Sequence, residues 1–129
     1  MPLIKLDIIE GRKKEEITKM LDVIHEAVVE AFEVPERDRY QLVSQRKAHE
    51  MIIEDTGLGL DRTDEVVVIS VVSNKRDKNK KIKFYELVTE NLKTKCNIRK
   101  EDVMINITEN SPADWSFGMG VAQFITGEL

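Results

Sequence analysis

The chain of 129 residues is 41% hydrophobic, 34% charged and 5% aromatic, which excludes disordered and fibrous classes and predicts one compact domain burying about two-thirds of its unfolded surface. Twenty Lys+Arg against 24 Asp+Glu give a net charge of −4 and a pI near 5.3, so bulk charge points away from nucleic acid. One cysteine, Cys96, rules out an intrachain disulfide, and two histidines add no zinc-type cluster. No run of about 18 apolar residues predicts a membrane span, and a cytoplasmic location fits.

In chain order, Pro2 comes first, followed by Leu3–Ile9, apolar apart from Lys5 and Asp7. This short β-branched run predicts a strand buried on both faces. Ile17, Met20, Leu21, Ile24, Ala27, Val28, Ala31 and Phe32 recur at steps of three and four, the stripe of an amphipathic helix opposite Lys19, Glu26 and Glu30. A second strand is expected over Arg39–Val43. After an irregular stretch with a turn at Thr56-Gly57-Leu58-Gly59, the run Val66–Val72 predicts a third strand. Phe84, Tyr85, Val88, Leu92 and Cys96 mark a second helix, and Val103, Ile105 and Ile107 alternate as a fourth strand. The tail is less regular, with a turn at Gly118-Met119-Gly120.

The two halves match without a gap at one offset of 64 residues: Arg12 falls on Arg76, Lys14 on Lys78, Lys19 on Lys83, Glu26 on Glu90 and Asp38 on Asp102. Register held through strand, helix and strand predicts a single domain, residues 1–129, made of internal repeats 2–65 and 66–129. Each repeat is a βαβ unit with a right-handed crossover. The fold class is α/β (α+β), with a four-stranded mixed sheet and two helices on one face. The other face needs a cover, and a symmetric homo-oligomer supplies it.

This topology brings together groups far apart in sequence. Pro2, at the start of the first strand, falls beside Asn74–Arg76 at the end of the third and beside Asp38. The symmetry-related point holds Val66, Arg12 and Asp102, which lack an amine. Removal of the initiator methionine ahead of proline leaves Pro2 as a secondary amine, whose ordinary pKa lies near the α-amino range of about 7.7–8.0. An apolar pocket lowers that value and makes a general base; a nearby carboxylate raises it and makes a general acid. Arg76 offers a forked donor set for a substrate carboxylate.

Each candidate also has a bland reading. Pro2 can simply begin a strand, Arg76 can belong to the solvated run Lys75–Lys81, and Asp38 can pair with Arg37 or Arg39. His25 and His49 lack a second ligand at metal spacing, and Cys96 reads as a small apolar group. The Thr56–Gly59 turn lacks the context of a dinucleotide fingerprint. Trp115 and Phe117, two residues apart, suit either an apolar pocket wall or core packing.

Proline after the initiator methionine, followed by a duplicated βαβ, resembles the tautomerase superfamily. The segments Pro2–Arg12, Val34–Gln41, Glu54–Gly59, Arg62–Asp64 and Asp114–Gly118 are similar, in order and along the whole chain, to malonate semialdehyde decarboxylase and its relatives. The resemblance implies a homotrimer, no metal and no organic cofactor, and a small oxo-acid substrate. It implies that Pro2 is the catalytic proline, Asp38 the acid that supports it or orients water, and Arg76 a carboxylate-binding arginine. Trp115, Phe117 and Phe124 correspond to an apolar wall. Position 74 departs from the decarboxylase pattern: Asn74 stands where that pattern has an arginine, so this substrate-contacting group is a neutral donor. A proline-based tautomerase acting on 2-oxo acids is therefore the first expectation, a cofactor-free decarboxylase of 3-oxo acids the second, and a non-catalytic trimeric interaction domain the third.

Overall fold

The computed structural model describes residues 1–129. Strand β1 (Leu3–Ile9) leads into helix α1 (Lys14–Phe32) and strand β2 (Tyr40–Arg46); β3 (Val67–Asn74), α2 (Lys78–Cys96) and β4 (Val103–Asn110) repeat the sequence of elements. A short helix, α3 (Gln123–Thr126), closes the chain. The sheet order is β2-β1-β3-β4, with β1/β2 and β3/β4 parallel and the central β1/β3 pair antiparallel. Both long helices have 19 residues, and each ends in a left-handed residue, Glu33 and Asn97, at φ 56°. The boundaries of the helices thus fall 64 residues apart, the offset seen in the sequence. Their starts differ in one detail: the Asp77 carboxylate caps α2 by accepting from the Lys80 N–H at 2.8 Å, and Lys13 offers α1 no such cap.

The core lies between the helices and one sheet face. Ile4, Leu6 and Ile8 of β1 and Val67, Ile69 and Val71 of β3 pack against Met20, Ile24, Ala27, Val28 and Phe32 of α1 and Phe84, Val88 and Leu92 of α2. The Phe32 and Phe84 rings stack with centroids 5.0 Å apart at the helix–helix contact. Tyr85, expected on the apolar stripe of α2, is instead exposed. The buried residues there recur every four, and Tyr85, about 100° around the helix from Phe84, falls off that row.

Within the single chain the outward sheet face lies uncovered, as expected from two helices on one face. Burial alternates along β1 and β3, and the outward set is half-buried or exposed. That face carries polar pairs as well as apolar groups: Arg46 meets Asp7 at 2.9 Å, and the Asn106 amide donates to Ser70 Oγ at 3.0 Å. The twofold relation between the repeats sends both crossover helices to the same side, so within one chain only one face is covered. The second strand also differs from expectation, running from Tyr40 to Arg46. Arg39 lies outside it, paired with Asp22 at 2.8 Å. No helix is long and apolar enough to cross a membrane.

Candidate active site

The register of the sheet positions the site. Leu3 lies opposite Val72 of β3 and Tyr40 of β2. Extending both pairings back along the chain sets Pro2 level with Ser73 and Arg39, and Met1 level with Asn74 and Asp38. Pro2 is buried, and the main chain ahead of it ends in a partly buried amine on Met1. Burial pushes that amine below its ordinary pKa, the Arg76 guanidinium pushes it the same way, and Asp38 opposes them.

Asp38 sits in the turn between α1 and β2, where its N–H donates to the Pro35 carbonyl at 3.0 Å. It is 7% exposed, and neither carboxylate oxygen has a hydrogen-bond partner. Burial raises its pKa; the terminal amine, Arg76 and His25 pull it back. The pairing with Arg37 or Arg39 considered from sequence is absent, since Arg39 bonds Asp22 and Gln41. Arg76 is half-buried rather than part of a solvated face. Its main-chain N–H donates to a Glu109 carboxylate oxygen at 2.8 Å, and its guanidinium carbon lies 5.5 Å from the Phe32 ring centroid. Its buried Nε also lacks a partner. An amine, a carboxylate and a guanidinium thus influence one another while both Asp38 oxygens and Arg76 Nε stay unpaired, an arrangement that marks functional sites more often than structural ones.

The second repeat supplies an internal control. Asp102, which matches Asp38, is fully buried and satisfied: one oxygen accepts from the Thr63 N–H at 2.7 Å and the other from the Thr63 hydroxyl at 2.6 Å. Arg12, which matches Arg76, donates to the Glu65 carbonyl at 2.6 Å. No such group meets Asp38, whose two oxygens have no hydrogen-bond partner. Of two aspartates at matching positions, one is an anchor and the other is bare. A cleft of about 280 Å³ opens at the equivalent place in the second half, lined by Arg12, Glu65, Cys96 and Ile98 among others. Phe32 stands where that half has Cys96, and its ring carries Arg76.

Trp115, Phe117 and Phe124 gather on the sheet face away from the helices. Trp115 stacks on Phe117 with centroids 5.4 Å apart and planes 13° apart, and Phe124 meets Phe117 edge-on at 5.5 Å. The core-packing alternative for Trp115 and Phe117 does not hold, since both are half-buried outside the core. Two contributors went unnoticed in the sequence. Tyr40 stacks on the far side of Phe117 at 5.5 Å, and Asn110 shares the Trp115 indole N–H with Asn74, at 2.7 Å and 3.0 Å. Both are legible only once the strand order is known, because β2 and β4 lie on opposite sides of β1/β3 and the tail crosses between them. Trp115 at the β3/β4 end and Phe117 over β2 span the strand ends among which β1 begins.

The other candidates lie elsewhere. His25 Nε2 is 2.8 Å from the Glu36 carbonyl, in the turn that leads to Asp38. His49 is exposed in a short 3-10 turn, Ala48–Glu50. The Thr56–Gly59 segment is a turn held by Asp55, whose two oxygens accept from the Gly57 and Gly59 N–H groups at 3.1 and 2.7 Å.

A family model described as a tautomerase enzyme matches residues 38–118, and a second model of the same description matches residues 2–61. The chain is 54% identical over 129 residues to the probable tautomerase YrdN of Bacillus subtilis (strain 168), covering 100% of both proteins. It is 32% identical over 126 residues to the probable tautomerase YusQ of the same organism, covering 97% of this chain and 99% of that one. Among solved structures, a malonate semialdehyde decarboxylase matches with a TM-score of 0.97 and 48% identity over 98% of each chain. A fused 4-OT, solved as a symmetric trimer, shares the fold at a TM-score of 0.79 and 16% identity, over 97% of this chain and 98% of that one.

Proposed function

The chain belongs to the tautomerase family, and from that premise we propose that it moves a proton between carbon and oxygen in small 2-oxo carboxylates of the phenylpyruvate kind. The observation that carries this reading is the bare, buried Asp38 beside an amine of lowered pKa and the half-buried Arg76. While Met1 is attached, the Pro2 nitrogen is an amide and has no basic lone pair. Removal of Met1 makes it a secondary amine next to the same neighbours.

In the neutral form Pro2 takes a proton from the carbon next to the carbonyl, the C–H electron pair becomes the enol double bond, and protonated Pro2 passes its proton to the carbonyl oxygen. In the reverse reaction protonated Pro2 gives its proton to that carbon. Arg76 grips the carboxylate, Asp38 restrains the amine and orients water, and Trp115, Phe117 and Phe124 hold the apolar body of the substrate, with Asn74 contacting an oxygen. The ultraviolet absorbance of an enol reports the rate directly. With Met1 removed, as checked by mass spectrometry, Pro2→Ala is expected to lower kcat/KM by about 10²-fold or more. A variant as fast as its parent would refute the assignment.

The 48% identity to a malonate semialdehyde decarboxylase favours a second reading, decarboxylation of malonate semialdehyde or a related 3-oxo acid. Protonated Pro2 and Arg76 would polarise the 3-oxo group while the C–C bond to the carboxylate breaks, releasing carbon dioxide and then acetaldehyde. Acetaldehyde release at rates above those of enol conversion would put this reading first, and Asn74→Arg should then raise it. Self-association as a trimer belongs to the same proposal: the outward sheet face leaves Leu42 56% and Met104 40% exposed, surface that neighbouring copies would cover. Sedimentation is expected to give three times the 14.9 kDa chain mass; a stable monomer at micromolar concentration contradicts it. A reducing cytosol suits the single free Cys96.

A further inference from the structure

The Trp115 indole carries one N–H and no acceptor, yet it lies within hydrogen-bond distance of two carboxamides, Asn74 Oδ1 at 3.0 Å and Asn110 Oδ1 at 2.7 Å. Asn74 and Asn110 are direct neighbours across β3 and β4. A donor between two amides fixes the orientation of both, since each must turn its oxygen to the indole and its NH2 group away. Neither NH2 group donates to any acceptor within the chain. The result is a pair of neutral donor groups, half-buried, beside the aromatic stack and two residues from Arg76.

We propose that Trp115 is a positioning residue that holds Asn74 and Asn110 with their NH2 groups toward the substrate, making the site select monocarboxylates bearing a neutral oxygen and an apolar body over dicarboxylates. This deepens the reading of a 2-oxo-acid enzyme and rests on it for the identity of the substrate. Arg76 provides the one charged anchor. The amide pair suits a carbonyl or enol oxygen, because a neutral donor holds a second carboxylate less well than an arginine does. Stacking of Trp115 on Phe117 ties the donor orientation to the wall that receives the apolar body.

The test uses full-length protein with Pro2 free. Trp115→Phe keeps the ring and removes the N–H; it is expected to raise KM for phenylpyruvate about tenfold with kcat changed much less. An unchanged KM in the folded variant overturns the proposal. Asn74→Asp still accepts from Trp115 but turns an oxygen, rather than N–H groups, toward the ligand. Because Trp115 is the only tryptophan, its fluorescence follows binding without turnover: wild-type protein should be saturated by 3-phenyllactate, which carries a neutral hydroxyl oxygen and an apolar ring, at concentrations about tenfold below those needed with succinate. Asn74→Asp should weaken 3-phenyllactate binding by a similar factor. Equal affinities for the two acids, or no effect of Asn74→Asp, also overturn the proposal. If phenylpyruvate is not turned over but the fluorescence preference and its loss are seen, the assigned reaction fails and the positioning role of Trp115 stands.

Discussion

Asn substituted at Asp38 and at Asp102 should act in opposite directions on stability, although the two positions match in the repeat. At Asp102 both oxygens are engaged by Thr63, at 2.7 and 2.6 Å, and the Thr63 hydroxyl already accepts from the Glu65 N–H at 3.1 Å. An asparagine offers one acceptor there and turns its NH2 toward a donor. One charge-assisted hydrogen bond of about 1.5–3 kcal/mol is lost and the other falls to about 1 kcal/mol, so the protein should lose about 3 kcal/mol. At Asp38 there is no hydrogen bond to lose. Removing its buried charge should leave stability unchanged or raise it by about 1 kcal/mol. In a chain of this size about 1 kcal/mol moves Tm by roughly 4 °C, so the two variants should melt on the order of 10 °C apart. Thermal denaturation followed by circular dichroism, at one fixed protein concentration, measures this. The pH dependence gives a second check. The pKa of Asp38 is raised by burial, so the native state holds its proton more tightly than the unfolded chain does. The stability that this proton contributes is complete below the unfolded pKa of about 3.9 and is lost as pH rises through the folded value. The advantage of Asp38→Asn should accordingly be present at pH 7 and vanish near pH 3.5. Equal destabilisation by the two variants at neutral pH would show that Asp38 is a structural anchor like its partner.

Three further predictions concern the site. If the burial and the Arg76 charge that lower the Met1 amine act on Pro2 once Met1 is removed, kcat/KM of the proline base should rise with pH and level off below the ordinary α-amino range of about 7.7–8.0. Because Asp38 raises that amine and Arg76 lowers it, Asp38→Asn should move the inflection down and Arg76→Leu should move it up; an inflection indifferent to both shows that the amine is not the titrating base. Phe32→Leu removes the ring beneath Arg76, 5.5 Å from its guanidinium, and is expected to raise KM for carboxylate substrates several-fold through a lost cation–π contact of about 0.5–1 kcal/mol; steady-state kinetics will show it. Phe84→Ala empties a fully buried position stacked on Phe32 at 5.0 Å and should cost about 3–5 kcal/mol in urea denaturation.

The order of the elements and the approach of the chain's start to Asp38 and Arg76 were readable in the sequence. Hydrophobic periodicity and a constant offset are local properties, and parallel βαβ crossovers have one hand. The difference between Asp38 and Asp102 was not readable, since identical letters at matching positions conceal whether Thr63 is there to bind the carboxylate. Nor were the polar pairs on the outward sheet face, Arg46 with Asp7 and Asn106 with Ser70, which exist only because of the strand pairing. Tyr40 and Asn110 joined the site only through the strand order, which brings β2, β1, β3 and β4 under one crossing segment of the tail. The sequence by itself determined which elements form and which charged groups share the start of β1. The tertiary structure alone decided which of those groups are left without partners, because hydrogen-bond satisfaction depends on contacts between residues distant in the chain.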